Sequence, residues 1–129
     1  MGAWGVGFYD NDDAADWMAS LDGTQISDIH AIFEGIISDT NYIDVDQCNI
    51  ALAAADCISV ANKGKYTGCP EEVIEFADSI RNEIDSSIKY MALKTVFKIR
   101  DDRNSELKSL MSGVKGWKDG IELLLKRLG

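Results

Sequence analysis

The sequence predicts an all-α fold, six or seven helices in a single compact domain spanning 1–129 with an extended N-terminal strap. Three observations carry that prediction. Apolar side chains recur at three- and four-residue spacing through each long segment. One proline and 11 glycines leave long uninterrupted stretches of helix-forming residues. Apolar residues at 46% and charged residues at 27% of 129 positions suit one globular core and exclude a disordered chain or fibrous repeat.

In chain order, Gly2 to Tyr9 alternates glycines with Trp4, Val6 and Phe8, which predicts an extended strap packed on the core through Trp4 and Phe8. Asp10-Asn11-Asp12-Asp13 supplies an N-cap and first-turn acids for a helix over 14–21 whose apolar face is Trp17, Met18 and Leu21. Asp22-Gly23 ends it. Ile26, Ile29, Phe33, Ile36 and Ile37 mark a second amphipathic helix over 25–37, followed by an acidic loop over 38–46. Residues 47–62 are apolar on almost every side, which places that helix in the middle of the fold. After a loop over 62–69, Pro70-Glu71-Glu72 is a helix start, since proline suits the first turn and acids suit the dipole. Val73, Ala77, Ile80 and Ile84 then face inward. Asp85-Ser86 caps a further helix carrying Ile88, Met91, Ala92, Thr95, Val96 and Ile99, or the two segments form one bent helix. Ser105 to Met111 is a short helix, Gly113 a break, and Val114, Trp117, Ile121, Leu124, Leu125 and Leu128 outline the last.

Charge is the most informative feature of the composition. The formal net charge is −9, which argues against a nucleic-acid or anionic-membrane binder and for a cationic partner. Residues 1–62 hold 11 acidic side chains and no Lys or Arg, while 63–129 hold 11 acids and all 13 bases. Carboxylates of the first half must therefore pair with the second half, stay solvated, or meet something external. Cys48, Cys57 and Cys69 cannot all pair within one chain and match no zinc spacing, which suits a reducing, cytoplasmic setting. No stretch approaches the ~20 apolar residues that span a bilayer, and the start lacks a basic secretion region.

Reactive chemistry is sparse. His30 beside Ile29 has no orienting partner in view and reads as a helix-surface residue. The glycines fit neither a dinucleotide loop nor a P-loop, and Ser86-Ser87-Ile88-Lys89 matches Ser-x-x-Lys without its supporting motifs. A calcium loop starting at Asp10 fails with Ala14 and Ala15 at positions five and six, and starts at Asp39 or Asp44 fail likewise. These absences predict a protein that is not an enzyme and holds no cofactor or metal. Asp56 interrupts Ala51-Leu52-Ala53-Ala54-Ala55 and Cys57-Ile58, where a solvated carboxylate is out of place. It reads as a buried or half-buried ion pair with a base of the C-terminal half such as Arg81, Arg100 or Arg103, with a functional acid as the alternative.

Gly2-Ala3-Trp4-Gly5, Gly7-Phe8, Asn11-Asp12-Asp13-Ala14 and Asp16-Trp17 resemble the signature of an uncharacterised bacterial family, a domain of unknown function. Ala53-Ala54-Ala55-Asp56, the Pro70 helix start, Asn104-Ser105-Glu106-Leu107 and the Trp117 helix are similar to its later features, so the resemblance covers nearly the whole chain. Asp56 stands where Glu is usual, and Met111 where Trp is usual. The resemblance implies a small, soluble, helical bacterial protein without an established activity, some of whose relatives occur in toxin-immunity neighbourhoods.

Together, acidity and resemblance lead to the expectation of a non-enzymatic immunity protein that masks a cationic, nuclease-type toxin. The alternative is a cytosolic regulatory or scaffold domain without a toxin partner. The binding surface is expected on the 38–46 loop, at Asp39, Tyr42, Asp44 and Asp46, since an aromatic ringed by carboxylates on a segment that need not serve the core suits an interface. Asp22, Asp28 and Glu34 extend it. Against this stands the reading that Asp44 or Asp46 caps the helix near Gln47 while Tyr42 and Ile43 tuck inward.

Overall fold

The computed structural model describes residues 7–129 and contains seven α-helices, with no strand among the described residues. They are α1 (Asp12–Met18), α2 (Ile26–Ser38), α3 (Val45–Lys63), α4 (Glu71–Ile80), α5 (Ser86–Asp101), α6 (Glu106–Met111) and α7 (Trp117–Leu128), with a 3₁₀ turn at Arg81–Glu83 after α4. Trp4 and most of the predicted strap lie outside the described residues. The part that is described turns: Asp10 N donates to Gly7 O at 3.1 Å, and Gly7 N donates to Asp10 Oδ2 at 3.1 Å. A Cβ on Gly7 would sit 2.7 Å from that same carboxylate oxygen, so a larger residue there would have to displace the Asp10 side chain. Phe8 packs, half-buried, against the core.

The α3 helix is the hub, touching α1, α2, α4, α5, α6 and α7. Every residue from Ala51 to Ala61 is buried, because its alanines let neighbouring helices approach while Leu52, Ile58 and Val60 fill the space between them. The α2 face of Ile29, Phe33 and Ile36, the α5 face of Ile88, Ala92, Val96 and Ile99, and the α7 face of Trp117, Ile121, Leu124 and Leu128 close around it. Thr95, on the same α5 face, buries a hydroxyl without a hydrogen-bond partner among the described residues.

Local capping fixes the helix boundaries. Asn11 accepts from Ala14 N at 2.8 Å and starts α1 at Asp12, two residues ahead of the predicted start. The predicted end at Leu21 also moves: α1 stops at Met18, and Leu21 is buried from the following turn. Asp44 accepts from Gln47 N at 3.1 Å while Gln47 Oε1 accepts from Asp44 N at 3.3 Å, a reciprocal box that starts α3 at Val45 instead of 47. The α4 and α5 segments are separate helices, because Ile84 is extended and Asp85 caps Ile88 N at 2.9 Å. Val114 is the exception on the last helix: it precedes α7 in a turn and is exposed. There Gly116 takes φ 97°, a conformation that favours glycine, before the helix begins.

Candidate functional site

The 38–46 stretch does more than connect. Ile43 is fully buried and forms a parallel bridge with Ser105, its N donating to Asn104 O at 2.9 Å and its O accepting from Glu106 N at 2.9 Å. Lys98, in the last turn of α5, donates to the carbonyls of Ile36 at 2.8 Å and Ile37 at 3.2 Å, and also to that of Asp39. A cation from the second half thus satisfies the end of α2, where the helix dipole is negative and α2 has no base of its own. The expectation that this stretch need not serve the core is corrected for Ile43 and the main chain. Only its side-chain rim stays in solvent.

On that rim Tyr42 is 61% exposed, so it does not tuck inward as Ile43 does. Asp39 is half-buried, its Oδ1 accepting from Asn41 N at 2.8 Å, and Asp44 is the α3 cap. Asp46 is exposed beside Asp13 of α1, and that neighbouring carboxylate, with partial desolvation and Asp44 behind it, pushes the Asp46 carboxyl above its ordinary range. Glu106 of α6 joins the group: its Oε1 accepts from Val45 N at 2.6 Å, and it helps raise the Tyr42 hydroxyl after desolvation. The acids that come together are therefore Asp13, Asp44, Asp46 and Glu106. Asp13 and Glu106 escaped the sequence reading because they reach the site from 31 positions before and 62 positions after Asp44.

Asp22, Asp28 and Glu34 are all exposed. Asp28 Oδ2 accepts from Gln25 N at 2.8 Å and closes the capping box of α2, whereas the side chains of Asp22 and Glu34 make no hydrogen bond or ion pair among the described residues. His30 is exposed, in line with its surface reading.

Charge segregation survives folding. The ion pairs among the described residues are Arg81 with Asp78 at 2.6 Å, and Arg100 with Asp101 at 2.7 Å and with Glu122 at 2.9 Å. All join two residues of the second half, so none of the 11 carboxylates of the first half is neutralised by an ion pair there.

Asp56 overturns the predicted ion pair with Arg81, Arg100 or Arg103. It is 2% exposed, and its Oδ2 accepts from the Tyr66 hydroxyl at 2.6 Å and the Tyr9 hydroxyl at 2.9 Å, while Ser59 Oγ lies 3.3 Å from Oδ1. Arg81 and Arg100 are held by the pairs above, and Arg103 is exposed. The nearby base is Arg127, which the sequence reading missed; its guanidinium lies 5.0 Å from the Tyr66 ring centre, and its Nε lies 3.4 Å from Ser59 Oγ. Burial raises the Asp56 carboxyl above its ordinary range against the pull of Tyr66, Tyr9 and Arg127. Burial likewise raises the neighbouring Cys57 thiol, which keeps it from thiolate chemistry. This cluster ties the N-terminal turn, α3, the α3–α4 loop and α7 together.

The sequence model of a family described as Domain of unknown function (DUF4259) matches residues 2–119. Neither a curated protein nor a solved structure matches the chain.

Proposed function

The chain belongs to the DUF4259 family, and we propose that it is a cytoplasmic, non-enzymatic binding protein, specifically an immunity protein that masks the active site of a cationic, nuclease-type bacterial toxin. The observation that carries this reading is the unneutralised first half: apart from buried Asp56, its ten exposed or half-buried carboxylates make no ion pair among the described residues. A nuclease must be cationic around its active site to hold a polyphosphate, so an anionic protein competes for that surface and is steered to it. Tyr42, exposed beside Asp44 and Glu106, is the aromatic anchor of the interface, and Asp39, Asp46, Asp22, Asp28 and Glu34 supply charge around it.

The test begins at the locus, where a neighbouring reading frame for a large secreted protein with a variable C-terminal domain is expected. That domain, produced alone, should arrest growth, and co-production of this chain should restore it. Tyr42→Ala, and separately Asp22→Lys with Glu34→Lys, should weaken protection with little change in melting temperature, because those side chains carry no capping bond. Asp44→Lys is a poorer probe, since losing the α3 cap costs ~1 kcal/mol by itself. Association should slow steeply with salt, as steering is screened beyond ~8 Å near physiological ionic strength. A locus of housekeeping genes alone, or a toxin domain that this chain binds at a salt-independent rate, refutes the reading.

A further inference from the structure

On a protein of net charge −9, one groove is lined by more bases than acids. A groove of roughly 620 Å³ opens where α5, α6 and α7 meet, within the volume range of small-ligand sites. Its lining includes four bases, Arg100, Lys108, Lys115 and Lys118, against two acids, Asp101 and Asp119. Three separate elements contribute those bases: α5, α6 and the α6–α7 turn running into α7. Met111, Val114 and Trp117 provide an apolar wall.

The bases are not equivalent. Arg100 is spent, since its guanidinium holds Asp101 at 2.7 Å and 2.8 Å and Glu122 at 2.9 Å. Lys108 Nζ donates one proton to Asp101 O at 2.9 Å and keeps two for other partners. Lys115 and Lys118 are exposed and make no ion pair among the described residues. Asp101 is held below the usual carboxylate range, first by its hydrogen bonds to Arg100 and further by Lys108 and Lys118. Gly116 has no side chain to cap α7 on the same wall; Trp117 N donates to Val114 O at 3.4 Å, and the N–H groups of Lys118 and Asp119 have no side-chain acceptor among the described residues.

With the guanidinium fork occupied, the planar two-point recognition of a carboxylate is closed. What remains is a set of ammonium point charges beside an apolar wall, suited to a compact tetrahedral dianion carrying an organic body. We propose that this groove binds a small phosphate monoester, its phosphate among Lys108, Lys115 and Lys118 and its apolar part against Met111, Val114 and Trp117. The site is separate from the acidic rim around Tyr42 and stands or falls independently of the immunity reading.

The experiment is an amide-resolved NMR titration of the full chain with phenyl phosphate at constant ionic strength, with inorganic phosphate and benzoate as parallel probes. Phenyl phosphate should shift the Lys118 and Asp119 amides and the Trp117 indole N–H saturably, and inorganic phosphate should bind more weakly. Lys115→Gln with Lys118→Gln, both on exposed side chains, should keep the folded spectrum and weaken binding about tenfold, a loss of ~1.4 kcal/mol. Shifts that do not saturate, shifts scattered over other lysines, or unchanged affinity in the double variant overturn the site. Equal affinity for inorganic phosphate or benzoate overturns the ligand class.

Discussion

Replacing Asp56 separates two accounts of how a buried carboxylate is tolerated. Its Oδ2 accepts from two tyrosine hydroxyls, at 2.6 Å from Tyr66 and 2.9 Å from Tyr9. In Asp56→Ala, Tyr9 keeps the Ala53 carbonyl at 3.2 Å and Ser59 keeps the Asp56 main-chain carbonyl at 2.7 Å, so the Tyr66 hydroxyl suffers most. One hydrogen bond to a charged acceptor and one partly replaced bond amount to about 2–4 kcal/mol, after relief of the desolvated charge is set against them. Asp56→Asn is different in kind. Its amide oxygen can accept both tyrosine hydroxyls, and its NH₂ can donate to Ser59 Oγ, which already donates elsewhere. The expected cost is below about 1 kcal/mol, because geometry survives and the buried charge is gone. Urea unfolding followed by helical circular dichroism measures both, and for a domain of this size each kcal/mol moves the melting temperature by roughly 3–6 °C. If Asn costs as much as Ala, then attraction to Arg127 carries the site and the tyrosine account is wrong; if Ala costs under ~0.5 kcal/mol, Asp56 holds nothing.

The same residue sets a pH dependence. Its folded carboxyl lies above the ordinary value, so the native state binds the proton more tightly than the unfolded chain. That contribution to stability is complete below the ordinary carboxylate range and is lost as pH rises through the raised value. Asp56→Asn should therefore lack a stability gain that the parent shows on acidification through that window, and parallel pH profiles for the two proteins would refute it. Trp117→Ala should destabilise by roughly 3–5 kcal/mol, as deletion of a core aromatic does, whereas half-buried Trp17→Ala should cost only about 2 kcal/mol; equal midpoints in urea would contradict that ranking. Lys98→Met leaves the carbonyls of Ile36, Ile37 and Asp39 without their ammonium and should cost about 1–3 kcal/mol, with faster amide exchange at the end of α2 as its local signature.

Helix order and hub, and the number of helices to within one, were legible in the sequence because they rest on neighbours three or four positions apart. The all-round apolar character of 47–62 placed α3 in the middle, and Asn11, Asp85 and Pro70 marked helix starts through bonds or backbone angles that close within one turn. Boundaries moved where a short-range bond outweighed periodicity, as when the Asp44–Gln47 box drew α3 back to Val45. Of the candidate site, the local acidity of 38–46 could be read from the sequence, whereas the split between exposed Tyr42 and buried Ile43 was decided by the bridge of Ile43 to Ser105. Asp13 beside Asp46 and Glu106 beside Val45 could not be read there, nor could the choice of Tyr9 and Tyr66 over an arginine for Asp56, or of Lys98 for the end of α2. Each of those partners reaches its site across a packed interface, at a distance set by crossing angles and side-chain volumes of helices far apart in the chain. Local chemistry names which groups need a partner; only the packing of α1, α5, α6 and the loops around α3 decides which partner arrives.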